Sequence, residues 1–208
     1  GGEPLLIPEH YKILEFMVES GASKNCMLRY NSNGLELPDK LFELWSHFKE
    51  VRFNFSIDAV GDKNFYIRYP SDWDTVVKNL HKLDNTPDNI IVNIACAVQL
   101  LNILYLPELG QWVLDQNFKK IHKHPMVNGV IGTHLVYLPS YLNVRVLPKN
   151  VKDLAAHRIR QFTDNPRWLG FIDYMMAEDW SNKLPSTIEY LETCDQTRDL
   201  DFRKVFTE

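Results

Sequence analysis

Apolar residues recur at helical spacing in several stretches of the chain. In the first of them, residues 8–19, the apolar positions include Leu14 and Met17, with Pro8 at the start and Gly21 just past the end. This pattern predicts an amphipathic helix. The same reasoning predicts further helices over residues 38–48, 71–83, 104–118, 151–162, 168–183 and 187–193.

Other stretches have the period-two pattern of a half-buried strand. Between residues 51 and 57, valine, phenylalanine and isoleucine alternate with Arg52, Asn54 and Ser56. Residues 90–98 form the most strand-like run of the chain, and shorter runs predict strands over residues 26–30 and 130–138. Residues 139–148 show neither period.

Strands and helices that alternate at this spacing are typical of parallel βαβ units with right-handed crossovers. We therefore predict an α/β fold. Residues 1–150 are expected to form its core, and residues 151–208 a helical segment packed on that core.

Polar residues cluster where predicted strands end and helices begin. Because ligands of parallel α/β sheets and barrels bind at the carboxyl ends of the strands, we expect the clusters to converge on one rim. Ordinary βα turns also favour Asn, Asp, Ser and Gly, so a purely structural explanation stays open. The clusters are Gly1-Gly2-Glu3, residues 31–33, Ser56 with Asp58, and Gln99 with Asn102.

Composition and charge narrow the classes of partner. The 208 residues carry a formal net charge of −4, which gives no electrostatic case for binding nucleic acid or an acidic membrane. No apolar run reaches the roughly 18 residues that a membrane span needs. Three widely separated cysteines argue against a disulfide framework and for a reducing, cytoplasmic location.

Six sequence features stand in a characteristic order along the chain: Gly1-Gly2-Glu3-Pro4, Tyr30-Asn31-Ser32-Asn33-Gly34, Phe55-Ser56-Ile57-Asp58, Arg68, Leu138-Pro139-x-Tyr141-Leu142, and the tail from Asp195 to Phe206. In these features the chain resembles the radical S-adenosylmethionine (radical SAM) enzymes, and within them the subgroup that carries a twitch-type accessory cluster domain. The resemblance runs from Gly1 to the C-terminus, and it implies a partial (β/α) barrel.

The resemblance assigns a role in binding S-adenosylmethionine to eight residues. Gly1, Gly2 and Glu3 would accept hydrogen bonds from the amino group of its methionine moiety. Ser56 and Asp58 would contact the ribose or the methionine end, and Arg68 would pair with the carboxylate. Asn31 and Asn33 would line the same rim.

Each of these assignments has a structural alternative. Gly1 and Gly2 are also typical of a flexible end, and Asn31 and Asn33 of a turn. Ser56 and Asp58 could simply form a strand-ending turn, and Arg68 could be a solvated charge.

The cysteines depart from the family pattern. Radical SAM enzymes hold a [4Fe–4S] cluster through three closely spaced cysteines, but Cys26, Cys96 and Cys194 are far apart and are expected to be buried and inert. We therefore predict no metal ligands in this chain; His122-x-His124 lacks a recognisable metal spacing. The cluster ligands are expected upstream of Gly1, in a longer parent protein of which this chain is a fragment.

The parent is thus expected to cleave S-adenosylmethionine reductively and to start hydrogen abstraction from a substrate. That substrate could be a peptide, a sugar or a small metabolite, and a reductant must supply the cluster. No catalytic residue is assigned. One alternative is a cluster-free α/β module that binds a nucleoside or a protein; another is a barrel enzyme that uses only acid–base groups, such as Asp58 with a histidine.

Overall fold

The computed structural model of the chain describes residues 2–121 and 130–208 and confirms the predicted α/β class. The described strands are β1 (Met27–Ser32), β2 (Glu50–Ser56), β3 (Ile90–Val98) and β4 (Gly132–Leu135). They form one sheet in the order β1-β2-β3-β4. The pairs β1–β2 and β2–β3 are parallel.

The alternating pattern explains why β2 and β3 form. In β2 the side chains of Val51, Phe53 and Phe55 are buried, while the positions between them are half-exposed. The same alternation continues through β3, whose bounds are those predicted. The sequence period therefore determines which face of the sheet enters the core.

Helices connect the strands and make up most of the remaining chain. The α-helices in the described residues are α1 (Pro8–Glu19), α2 (Asp39–Ser46), α3 (Asp62–Ile67), α4 (Trp73–Asp84), α5 (Leu106–Asp115), α6 (Lys149–Phe162), α7 (Pro166–Ala177), α8 (Leu184–Arg198) and α9 (Phe202–Val205). Short 3-10 helices cover Pro4–Leu6, Ala22–Asn25, Ile103–Tyr105, Ser140–Leu142, Val144–Val146 and Ser181–Lys183. None of the helices described is long and apolar enough to cross a membrane.

The chain folds into two compact units, each built from several stretches. The first unit contains residues 1–57, 71–95 and 116–132, and the second contains residues 58–70, 96–115 and 133–208. The predicted boundary near residue 150 stays a prediction.

An aromatic cluster organises the core of the first unit. The Trp45 ring, from α2, lies 5.1 Å from that of Tyr30 in β1 and 5.6 Å from that of Phe53 in β2. The indole N–H of Trp45 donates to the Tyr30 hydroxyl at 3.1 Å. Burial raises the pKa of Tyr30 to about 12, so this hydroxyl stays protonated and neutral in the core.

The core of the second unit lies between helices. The rings of Phe162 and Trp168 stack at 5.3 Å where α6 ends and α7 begins. Trp168, Ile159 and Met175 are almost completely buried. These contacts account for the helical pattern that the sequence shows in this region.

The structure corrects several predicted element bounds. The strand predicted over residues 130–138 is shorter, and the helix predicted over 104–118 begins as a 3-10 turn and ends at Asp115. Helices α3 and α9 were not predicted. Both are short, six and four residues, so their sequences hold too few turns to show a period.

Candidate functional site

The Glu3 carboxylate ties the start of the chain to the end of β1. It accepts hydrogen bonds from the Ser32 hydroxyl at 2.7 Å and from the Asn33 backbone N–H at 2.9 Å. It also accepts one from the Leu5 N–H at 3.3 Å, capping the 3-10 helix that follows. Charge-assisted bonds of this kind are the stronger ones in proteins. Glu3 therefore fixes the Gly2–Glu3 backbone beside the carboxyl end of a parallel strand.

The turn after β1 is built around its own polar groups. The Gly34 N–H donates to Ser32 Oγ at 3.0 Å, and the Leu35 N–H donates to Asn33 Oδ1 at 3.1 Å. The Asn33 side chain therefore shapes the turn, as the structural alternative predicted.

Gly34 is required at the centre of this turn. Its φ of +66° lies in the left-handed region, and a Cβ there would collide with the Phe55 ring. The turn consequently packs directly on β2.

A row of three asparagines crosses the sheet on its less buried face. The strand registers place Asn31 of β1 opposite Asn54 of β2, and Asn54 opposite Asn93 of β3. Asn54 Nδ2 donates to Asn31 Oδ1 at 2.9 Å, and Asn93 Nδ2 donates to Asn54 Oδ1 at 3.4 Å. We call this row the asparagine ladder. It leaves Asn93 Oδ1 buried without a hydrogen-bond partner among the described residues.

In the second unit, the carboxylate of Asp58 is buried beside a cation. Asp58 Oδ2 lies 2.8 Å from Arg68 Nε, although the Nε–H is not directed at it for a hydrogen bond. Asp58 Oδ1 accepts a hydrogen bond from the Ala97 N–H at 2.7 Å. Burial raises the pKa of Asp58, and it outweighs the opposing effects of the Arg68 charge and these contacts.

Two buried amides hold the backbone around Asp58. Asn64 Oδ1 accepts a hydrogen bond from the Asp58 N–H at 2.9 Å, and Asn102 Nδ2 donates to the Asp58 carbonyl at 2.9 Å. Asn102 Oδ1 in turn accepts one from the Gln99 N–H at 2.8 Å. Asn102 and Gln99, predicted to lie on a ligand-binding rim, thus support the strand end through the main chain.

The structure places the predicted site residues in separate groups. In the first unit, Glu3 contacts Asn33, and Asn31 belongs to the ladder. In the second unit, Asp58 contacts Arg68, so Arg68 is not the isolated solvated charge of the structural alternative.

Ser56 and Gly2 have no such contact with another predicted site residue that the structure describes. Ser56 is half-exposed at the end of β2, opposite Ala95. Gly2 is exposed with a φ of +132°. Gly1 lies outside the described residues.

The described residues do not fit an iron–sulfur cluster. No group of three His, Cys, Asp or Glu side chains within residues 2–121 and 130–208 could hold a metal ion. Cys96 is buried as predicted, and burial raises the pKa of its thiol, but the prediction was wrong for Cys26 and Cys194, which are only half-buried. His122 and His124 lie outside the described residues. We therefore assign no ligand and derive no chemical step through a cluster.

Sequence reasoning missed three residues that organise the candidate site. Ser32 was predicted only as a member of the cluster over residues 31–33, without a role of its own. Asn54 was interpreted as a polar position of a strand, and Asn93 was not singled out. One signal could have identified the ladder: an asparagine directly follows the predicted strand over residues 26–30, and each of the next two predicted strands carries one at an interior position. The pairing itself depends on the register, which the sequence does not show.

Comparison of the chain with family models, with curated proteins and with solved structures found no match.

Proposed function

We propose that the chain is part of a radical SAM enzyme and that its first unit helps to bind S-adenosylmethionine at the carboxyl ends of β1 and β2. In such enzymes the cofactor, cleaved reductively at a cluster, starts hydrogen abstraction from the substrate. This chain would bind and orient the cofactor and exclude water, while the cofactors supply the difficult chemistry.

The observation that carries the proposal is the anchoring of Glu3 by Ser32 and Asn33. It holds backbone carbonyls of the Gly2–Glu3 segment next to the strand end, where parallel α/β folds bind ligands. The Glu3 carbonyl already accepts a hydrogen bond from the Leu6 N–H at 3.3 Å. A carbonyl oxygen has two lone pairs, so the Gly2 and Glu3 carbonyls can both accept from an ammonium group. The half-exposed Ser56 hydroxyl, at the end of the neighbouring strand, is available to a ribose hydroxyl.

The sequential order of the strands supports the barrel part of the proposal. Neighbouring strands in the sheet are consecutive along the chain, and helices connect β1 to β2 and β2 to β3. A (β/α) barrel has this sequential order, whereas doubly wound sheets reverse their strand order, so the order supports a barrel over a doubly wound sheet.

The test is a titration of the chain with S-adenosylmethionine, followed through the backbone amide resonances. We expect Glu3, Asn33 and Ser56 to shift. Ser32→Ala removes the hydroxyl that positions Glu3, and we expect it to weaken binding about tenfold, the equivalent of about 1.4 kcal/mol.

Ser20→Ala is the matched control, because the Ser20 hydroxyl only donates to the Met17 carbonyl at the end of α1. Unchanged resonances at millimolar cofactor would overturn the proposal. Adenosine binding as tightly as S-adenosylmethionine would instead favour the cluster-free nucleoside-binding module.

A further inference from the structure

The asparagine ladder has a direction. Each amide donates to the next one toward the edge strand, from Asn93 through Asn54 to Asn31. Reversing any one amide alone would place two oxygens or two nitrogens opposite each other, so the three amides share one direction. The ladder ends at Asn31 Nδ2, which donates to no residue that the structure describes.

Hydrogen bonding along the asparagine ladder makes the Asn31 amide nitrogen, Nδ2, a stronger hydrogen-bond donor. An amide that accepts a hydrogen bond at its oxygen is polarised and becomes a better donor at its nitrogen. Asn31 is exposed, so this donor is accessible to a ligand. The other end of the ladder, Asn93 Oδ1, is buried without a hydrogen-bond partner among the residues that the structure describes, which is unfavourable for folding. Stability alone does not account for such an arrangement.

A free positive charge lies on the same face of β1. Arg29 precedes Asn31 by two residues, so the two side chains leave the same face about 6.6 Å apart. The Arg29 side chain is exposed and has no ion-pair partner among the described residues. Its neighbour in the register, Arg52, forms an ion pair with Glu50 at 2.5 Å. Of these two neighbouring arginines, Arg29 therefore has a guanidinium without an ion-pair partner among the described residues.

This face is unusual for a parallel sheet. Parallel sheets are normally covered on both faces and consist of nearly continuous apolar residues. Here the alternate positions of β1 and β2 are polar and at least partly exposed, including Arg29, Asn31, Asn54 and Ser56. A polar, accessible face on an otherwise buried element indicates a ligand-binding surface.

We propose that Arg29 and Asn31 bind a carboxylate of the substrate and thereby determine its class, a carboxylate-bearing small molecule. A planar guanidinium and an amide donor match a planar carboxylate, and one free cation balances its single charge. Asn54 and Asn93 act as positioning residues, because they orient and polarise the Asn31 amide. The proposal rests on the proposed function, since it names the substrate class of that enzyme.

The first experiment compares small probes on the intact chain without S-adenosylmethionine. N-acetylglycine carries a carboxylate, N-acetylglycinamide is its neutral analogue, and inorganic phosphate is a competing anion. We expect N-acetylglycine to shift the side-chain resonances of Arg29 and Asn31 and to bind about tenfold more tightly than the amide. Equal binding of acid and amide, tighter binding of phosphate, or no shift would overturn the proposal.

Variants separate the charge from the ladder. Arg29→Gln should abolish the preference for acid over amide. Asn54→Leu should weaken binding of both probes and move the Asn31 amide resonances, and unchanged binding in either variant would contradict the assignment. Arg160→Gln removes another exposed arginine, in α6 of the second unit, and should leave binding unchanged.

The outcomes distinguish this proposal from the cofactor assignment. If S-adenosylmethionine binds but N-acetylglycine does not, the substrate class is wrong and the proposed function stands. If N-acetylglycine binds as expected but S-adenosylmethionine does not, the site is real and the proposed function fails.

Discussion

At the scale of single residues, three polar side chains hold neighbouring segments of the chain, and two of them, Asp58 and Asn102, are buried. Glu3, Asp58 and Asn102 each bond to backbone groups of a neighbouring segment. Such bonds fix loops more firmly than exposed contacts do, because a buried group that loses its partner costs about 1–3 kcal/mol.

Asp58 gives the protein a specific pH dependence. Burial raises the pKa of Asp58 above the ordinary value of 3.8. Between pH 3.8 and the pKa of the folded state, Asp58 therefore keeps its proton in the folded protein and loses it in the unfolded chain. Its contribution to the free energy of unfolding is fully present below pH 3.8 and is lost as the pH rises through the folded pKa. We expect Asp58→Asn to be more destabilising near pH 4 than near pH 7 in urea unfolding.

Asp72 is the control for Asp58, because its pKa is shifted in the opposite direction. Hydrogen bonding to Thr75 lowers the pKa of the exposed helix cap Asp72, so its contribution is present above pH 3.8 and is lost as the pH falls through the folded pKa. Asp72→Asn should therefore be more destabilising at pH 7 than at pH 4. If the destabilisation of both variants changed with pH in the same direction, burial would not be the main cause of the pKa shift of Asp58.

Gly34 and Gly21 separate two costs of adding a side chain. Both glycines have positive φ, +66° and +75°, but only Gly34 lies against a ring, that of Phe55. We expect Gly21→Ala to cost about 1 kcal/mol for backbone strain. Gly34→Ala should cost at least about 2 kcal/mol because overpacking is added. Urea unfolding of the two variants measures the difference, and equal losses would contradict the packing of the turn on Phe55.

At the scale of elements, the helices of the second unit pack through small residues. Gly110 of α5 allows Phe162 and Trp168 to approach closely. A Cβ at Gly110 would lie 2.6 Å from the Phe162 ring and 3.2 Å from the Trp168 ring. Close approach of these elements therefore depends on the absence of one methyl group.

Gly110 and Gly170 provide a matched pair of helical glycines. Gly110→Ala should destabilise the protein by about 1–3 kcal/mol through overpacking. Gly170 of α7 is exposed, with no atom within 4 Å of a Cβ built on it, so Gly170→Ala should stabilise by about 0.5–1 kcal/mol. Thermal unfolding tests both. A destabilised Gly170→Ala would show that α7 needs backbone freedom there.

At the scale of the whole molecule, charge affects association more than fold. The formal net charge is −4 and the isoelectric point is near pH 6.0. Because proteins associate most readily when their net charge is near zero, we expect light scattering at fixed concentration to be greatest near pH 6.0 and to fall toward pH 8. A maximum far from this value would indicate a cause other than net charge.

The sequence alone predicted the α/β class and the elements with the clearest period. β3 and the central turns of α2 and α4 follow directly from apolar spacing, since burial of one face imposes that spacing on any sequence. Helix α1 was also predicted from its apolar spacing, but of its residues only Leu14 is buried. The sequence pattern did not predict the short helices α3 and α9, because an element of one or two turns shows no period.

Only the tertiary structure decided which polar residues meet. The resemblance selected Glu3 and Asn33. The Glu3 carboxylate also accepts a hydrogen bond from Ser32, which lies 29 residues away from Glu3 in the chain. The asparagine ladder depends on strand register, and a shift of one residue would send every side chain to the opposite face. The spacing of apolar residues along the chain determines which face of a helix or strand is buried. Which side chains of different elements meet depends on how the elements are arranged in the tertiary structure.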